Sequence, residues 1–337
     1  MSNLVSDRVA LMLVALAAAM ISAGLIVLLR PLLQRYTLAR PNARSSHAVP
    51  TPQGAGIAVI AATLAAAGVA ASMMGLGIPP TLFTATIFIG LVGLADDIRP
   101  IPVLPRLLLQ ATAVGAVILA TPVEPRIAPV LPLAVERGLL LLALVWFVNL
   151  VNFMDGLDLM TVAEIVPIAG ALVLLGWLGD FPAVPTIIAA ALGGAMLGFA
   201  PFNRPIAKVF LGDVGSLPIG LLLGWSLLQL AWQHQLVAAL LLPLYYIADA
   251  TLTLVLRIIR GEPFWAAHRG HFYQRATDNG YTVPRVVGEV FALNVALVAL
   301  ALTSIEVNST SARVVSLIVG TALVALLLYR FSTRKLH

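Results

Sequence analysis

Eleven long apolar runs constrain this chain more than anything else in it. They are roughly Val9–Leu29, Ala55–Leu76, Thr81–Ala95, Leu107–Ala120, Gly138–Val151, Leu159–Leu178, Val184–Ala200, Gly215–Ala231, Leu236–Leu256, Val286–Thr303 and Val314–Tyr329. About 20 consecutive apolar residues are needed to cross a bilayer as a helix. Leucine and alanine dominate and no alternating pattern appears, which excludes a β-barrel. The runs that stop short, at Ala95 and Val151, each lead into a polar motif, so those helices are expected to continue past the apolar stretch. The first run is too long for a typical signal-peptide core and reads as an uncleaved helix.

The fold expected is therefore all-α and polytopic, a single transmembrane catalytic domain over residues 1–337. Charged residues make up 10% of the 337 positions, against about 25% in a soluble domain. The mean hydropathy is +1.00. With 0 cysteines, disulfides, thiolate metal sites and cysteine nucleophiles are excluded.

Few charges make their placement informative. If all eleven runs cross, the termini lie on opposite sides. Of the 20 basic residues, only Arg8, Arg126, Arg137 and Arg313 then share the side of the N-terminus. Basic residues favour the cytoplasmic side, so the N-terminus is expected outside and the C-terminus inside. The basic isoelectric point then follows from topology and phosphate-bearing substrates, and nucleic acid is not expected as a partner.

The inner connections, near 30–54, 96–106, 152–158, 201–214 and 257–285, hold the polar motifs. The first contains Arg44, Ser45, Ser46 and His47, then Gln53-Gly54-Ala55-Gly56 before a helix. Arginines beside free helix N–H groups suit an anion. The second is Asp96-Asp97. Acids at a helix C-terminus are unfavourable, so an adjacent pair there points to a cation, a shifted carboxyl or cationic neighbours. The third runs Asn149 to Asp158, where Asn149, Asn152 and Asp155 are spaced to stack on one helix face. The fourth, Phe210-Leu211-Gly212-Asp213-Val214-Gly215-Ser216, follows Lys208. Its aspartate is either a helix cap or a ligand for a hard cation. The fifth holds His268, Arg269 and His271. Zinc is disfavoured because further soft ligands are absent, whereas arginine and histidine suit a pyrophosphate. Asp249 and Glu164 lie inside apolar runs and read equally as functional acids or as helix-to-helix hydrogen-bonding groups.

Carboxylates and amides for a divalent metal, with arginines and histidines for phosphates, form the inventory of phosphoryl transfer. A secondary transporter would place its acids at the midplane, and no repeated half is visible. An intramembrane prenyltransferase would need two aspartate-rich motifs, which Asp96-Asp97 and Asp155…Asp158 only partly supply.

These motifs, in this order, resemble the polyprenyl-phosphate N-acetylhexosamine-1-phosphate transferases. The matching pieces are Arg-Ser-Ser-His47, Asp96-Asp97, Asn152-Phe-Met-Asp155-Gly-Leu-Asp158, Phe210-Leu-Gly-Asp213-Val-Gly-Ser216 and His268-Arg269-Gly270-His271. Where the family often reads Asp-Gly-Leu-Asp-Gly-Leu-Ala, this chain places Leu159 after Asp158. The His-Arg-Gly-His-Phe-Tyr-Gln form of the last motif looks more like the O-antigen branch than the peptidoglycan branch, and eleven helices fit the subgroup of O-antigen or common-antigen synthesis.

The resemblance implies a bacterial inner-membrane enzyme with its site facing the cytoplasm. It would move a sugar-1-phosphate from a UDP-amino-sugar to undecaprenyl phosphate and release UMP. Magnesium (Mg2+), or manganese (Mn2+) in its place, would sit on Asp213 with Asn152 nearby. Asp96, Asp97, Asp155 and Asp158 would be the catalytic acids. Asn149, His268, Arg269, His271, Arg44, His47 and Lys208 would bind substrates. The bilayer is the obligatory surrounding, and a homodimer is compatible with the family.

Overall fold

The computed structural model describes residues 2–39, 50–124, 126–263 and 269–334. Arg44, His47 and His268 lie outside the described residues. The chain folds as α1 (Ser2–Tyr36), β1 (Leu38–Ala39), β2 (Thr51–Pro52), α2 (Gly56–Met73), α3 (Pro80–Ile98), α4 (Val103–Ala120), α5 (Leu133–Met154) and α6 (Met160–Leu178). It continues through α7 (Ala183–Phe199), α8 (Asp213–Trp232), α9 (Leu236–Leu241), α10 (Leu244–Ile259), α11 (Phe272–Asp278), α12 (Val283–Glu306) and α13 (Thr310–Ser332). All eleven apolar runs are helical, and the fold is all-α and polytopic, as expected.

Proline sets several of the boundaries. Pro79, Pro102, Pro132 and Pro182 stand immediately before α3, α4, α5 and α7, where a missing N–H costs nothing. Pro243 does the opposite and interrupts the ninth run. The expected single helix Leu236–Leu256 is in fact α9 and α10, because proline cannot donate to the helical ladder and crowds the preceding turn. Among the described residues, 10 helices are long and apolar enough to cross a membrane individually.

The polar helix ends extend past the apolar stretches. Thus α3 carries Asp96 and Asp97 on its last turn, and α5 carries Asn152. At the centre stands α8, whose most apolar window is 89% buried, against 28% for the peripheral α1, α4 and α13. A helix apolar on every side must be enclosed by others, and α8 packs on α2, α3, α5 and α9. Its N-terminus is reached closely by α3 because residue 93 is glycine. A Cβ there would overlap the Asp213 carbonyl.

Beside this junction the chain forms a small backbone zip. β1 and β2 pair antiparallel, Leu38 with Pro52 and Ala39 with Thr51. Phe210 donates its N–H to the Pro52 carbonyl at 2.8 Å, and Gly56 donates to Leu211 at 2.8 Å. This brings Gln53 against the N-terminus of α8.

Candidate active site

The polar motifs gather where the ends of α3, α5 and α7 meet the starts of α4, α6 and α8. The acidic pair separates into two roles. Asp97 turns toward α8: its Oδ1 accepts the Asp213 N–H at 2.9 Å, and its Oδ2 accepts the Val214 N–H at 3.1 Å. Gln53 donates its side-chain amide to the same carboxylate. The carboxylate placed unfavourably at the end of its own helix therefore caps the N-terminus of another, where negative charge is stabilising. Gly212, at φ 76°, supplies the turn and leaves room for this carboxylate.

Asp96 points the other way. Its Oδ2 is paired with Arg106 Nη1 at 2.8 Å, and its Oδ1 accepts the Ile101 N–H at 2.6 Å. The same Arg106 nitrogen stands 3.6 Å from Asp213 Oδ2. Asn152 donates to Asp213 Oδ1 at 2.7 Å and to Ser216 Oγ at 2.9 Å. Asp213 is thus held from α5 on one oxygen and faced by a guanidinium from α4 on the other. Arg106, Gln53 and Ser216 were not identified as site residues from the sequence. Gln53 and Ser216 lie within the first and fourth polar motifs, whereas the signal for Arg106 was a lone arginine in the first turn of the helix that follows the acidic pair.

The expected row of Asn149, Asn152 and Asp155 does not act as one face. Asn149 is buried and donates to Gln110 Oε1 at 2.6 Å, which ties α5 to α4. Its amide is spent there and not on the acid cluster. Asp155 lies just past the helix end and accepts from Thr161 Oγ1. Desolvation pushes its carboxyl up to about 7, against the Thr161 hydrogen bond and with Asp97 and Asp158 adding like charge. Asp158 Oδ2 accepts the Ala207 N–H at 3.1 Å, so it ties the α5–α6 turn to the α7–α8 loop. Leu159, in the place of the family's frequent glycine, sits at φ 64°, a region that costs a branched residue about 1–2 kcal/mol. Its N–H is held at 2.7 Å by Asn203 Oδ1. Lys208 is exposed on the same loop.

Asp249 completes the arrangement. It is fully buried and accepts four hydrogen bonds, from Tyr245 Oη at 3.1 Å, Thr253 Oγ1 at 3.3 Å, Phe272 N–H at 2.9 Å and Tyr273 N–H at 3.1 Å. His271, the residue before α11, places Nδ1 3.4 Å from Asp249 Oδ1 and stacks between Phe153 and Tyr273. Tyr273 Oη donates to the Phe153 carbonyl at 3.0 Å, which joins α11 to the end of α5. Arg269 points elsewhere, to Asp278 at 3.1 Å and Thr277 at 3.1 Å. Glu164 accepts from Asn294 at 2.6 Å and joins α6 to α12.

Residues 80–231 match the family described as glycosyl transferase family 4. The decaprenyl-phosphate N-acetylglucosaminephosphotransferase of Mycobacterium leprae is 30% identical over 320 residues, 82% of this chain and 79% of that protein. Those of Mycobacterium tuberculosis and Mycolicibacterium smegmatis are 30% identical over 318 and 319 residues, each covering 82% of this chain and 78% of the relative.

The chain belongs to glycosyl transferase family 4. It is a membrane-spanning transferase, and the matched stretch carries the acid cluster from Asp96 to Asp213. Within this family member, the Asp97 carboxylate accepts from the first two N–H groups of α8 and from Gln53. Asp97→Asn leaves one acceptor oxygen for three N–H groups, at a cost of about 1.5–3 kcal/mol for a charged hydrogen-bond acceptor. A lowered thermal midpoint together with reduced turnover is expected; unchanged stability would refute the capping role.

Proposed function

We propose that this enzyme transfers an N-acetylhexosamine-1-phosphate from a UDP-sugar to a polyprenyl phosphate and releases UMP, at the cytoplasmic face of a bacterial inner membrane. The observation that carries this reading is Asp213, set between the Asn152 amide and the Arg106 guanidinium at a bundle end crowded with further carboxylates. The matched relatives are named for N-acetylglucosamine and decaprenyl phosphate. The family resemblance implies undecaprenyl phosphate and O-antigen or common-antigen synthesis, so carrier length is one of the variables to test.

In the reaction, an oxygen of the carrier phosphate attacks the β-phosphorus of the UDP-sugar. The bond from that phosphorus to the bridging oxygen breaks, UMP leaves, and the sugar stays on the lipid through a diphosphate. Both reactants are anionic, so charge neutralisation and alignment are the main tasks. Arg106 supplies positive charge, and the His271 imidazole a hydrogen-bonding group. Asn152 orients Asp213, and Asp97 holds the helix on which Asp213 stands. Asp155, when ionised, is the acid free to orient or deprotonate the acceptor.

Among the described residues, no three acidic or histidine side chains form a ready ligand cage. Magnesium does not require one, since it keeps waters and uses one or two carboxylates with substrate phosphates. The hard oxygens of Asp213 and its neighbour Asn152 fit that ion, with manganese as a substitute. When bound it would neutralise the pyrophosphate.

The test is radiolabelled UDP-N-acetylhexosamine with purified protein and polyprenyl phosphates of two lengths. Labelled lipid and stoichiometric UMP are expected, abolished by a chelator and restored by magnesium. Solute accumulation in proteoliposomes without labelled lipid would rule the reading out. A screen of UDP-sugar donors names the sugar. Because the chain lacks cysteine, single cysteines placed in the 96–106 and 121–132 connections report orientation directly by accessibility labelling.

Asp155 also predicts a pH profile. With its carboxyl at about 7, the anionic form is lost as pH falls below that value. The kcat/KM, which reports the free enzyme, should fall about tenfold per pH unit below roughly 7 and level off above it. The stability sign is opposite. A raised carboxyl favours the fold below its unfolded value near 3.8, and that contribution is lost as pH rises through about 7. A flat kcat/KM between pH 5 and 8 would exclude an ionised Asp155 from the reaction.

A further inference from the structure

A cavity of about 260 Å³ opens between the end of α10 and the start of α11, lined by Arg257, Arg260, Arg269, Arg275 and the single acid Glu262. Glu262 pairs with Arg257 at 2.9 Å, and Asp278 pairs with Arg269 at 3.1 Å. Among the described residues, Arg260 and Arg275 have no carboxylate partner. Residues 264–268 contain no acid that could supply one. Arg275 lies over the Phe272 ring, 5.3 Å from its centroid. Four guanidiniums against two paired carboxylates leave a net positive cavity, which an anion would neutralise.

The anion's source follows from the surroundings. Leu252, Val255 and Ile259 are exposed on α10 at helical spacing, so an apolar stripe leads to the cavity from the bilayer. The volume, at the lower end of small-ligand pockets, accommodates a phosphodiester headgroup. The residue after Phe272, Tyr273, faces the Phe153 carbonyl, so α11 stands between the cavity and the acid cluster.

We propose that this cavity is a separate binding site for the phosphate headgroup of an anionic bilayer lipid, with the acyl chains lying along the apolar stripe of α10. The site is coupled to the catalytic end through short links. Thr253 lines the cavity and donates to Asp249, and Asp249 holds the first two N–H groups of α11 beside His271. Headgroup occupancy therefore steadies the His271 loop and raises turnover.

The test uses the full chain in nanodiscs of phosphatidylcholine alone or doped with phosphatidylglycerol. Lipid retention is read by native mass spectrometry, alongside donor KM and kcat. Phosphatidylglycerol is expected to be retained and to raise kcat. The double variant Arg260→Gln/Arg275→Gln should bind it about 30-fold more weakly, at roughly fivefold per basic residue near a membrane surface. It should keep wild-type kinetics in phosphatidylcholine. Displacement of the retained lipid by UMP, or a raised donor KM for the variant in phosphatidylcholine, would assign the cavity to the nucleotide. Displacement by polyprenyl phosphate would assign it to the acceptor. Equal retention by wild type and variant would reduce the effect to general bilayer charge. Each of these results overturns the proposal without touching the transferase reading, which the phosphatidylcholine assay measures independently.

Discussion

Asp213→Ala is expected to lower turnover by about 10³-fold while leaving the protein inserted and folded. The magnitude follows the loss of one preorganised charge-stabilising group, about 10²–10³ in kcat, with the effect on metal affinity added. Removing this carboxylate frees Asn152 Nδ2, which retains Ser216 Oγ at 2.9 Å, and frees Arg106, which retains Asp96 at 2.8 Å. Neither partner is stranded, so the fold should tolerate the change. The α8 cap uses the backbone N–H of residue 213 and not its side chain. The measurement is UMP release across a magnesium titration, with thermal stability in parallel. Near-normal magnesium-dependent turnover would remove Asp213 from the metal assignment. A collapse in stability matching the loss of activity would make it a structural residue.

Asp249→Ala should do the reverse and strike the fold first. Alanine strands Tyr245 Oη, Thr253 Oγ1 and the N–H groups of Phe272 and Tyr273, all buried. Each unsatisfied buried donor costs about 1–3 kcal/mol. Some will find new partners, so a net loss on the order of 3–5 kcal/mol is expected, as when one member of a buried charged network is removed. The conservative Asp249→Asn keeps one acceptor oxygen and should be less stable than wild type but folded. Its kcat should fall, because His271 and α11 are aligned through this carboxylate. A wild-type melting profile for Asp249→Ala would eliminate Asp249 as the organiser of the α10–α11 junction. Normal kcat for a destabilised Asp249→Asn would separate the junction from catalysis.

Much of the fold was legible because lipid imposes a simple rule. Backbone groups inside a bilayer must be satisfied within the segment, so each run of about 20 apolar residues is a helix whatever its neighbours are. The ninth run is apolar throughout but not one helix: it contains Pro243, and the split into α9 and α10 follows from that residue. The site was legible as a set of motifs, since alternating helices return successive polar ends to one side. Its internal pairing was not. Asn149 and Asn152 are one turn apart, yet one binds Gln110 on α4 and the other Asp213 on α8. A rotation of about 60° between positions three apart is enough to point them at different helices. The adjacent Asp96 and Asp97 likewise diverge, one to Arg106 and one to the α8 N-terminus.

The amino-acid sequence by itself determined an all-α membrane-spanning chain with polar motifs at its helix ends, because hydropathy, helix length and charge are local properties. The tertiary structure alone decided which carboxylate caps a helix, which one faces Arg106, and that Arg269 pairs with Asp278. Those choices depend on contacts between residues far apart in the chain, and only the packing around α8 and the junction at Asp249 set their geometry.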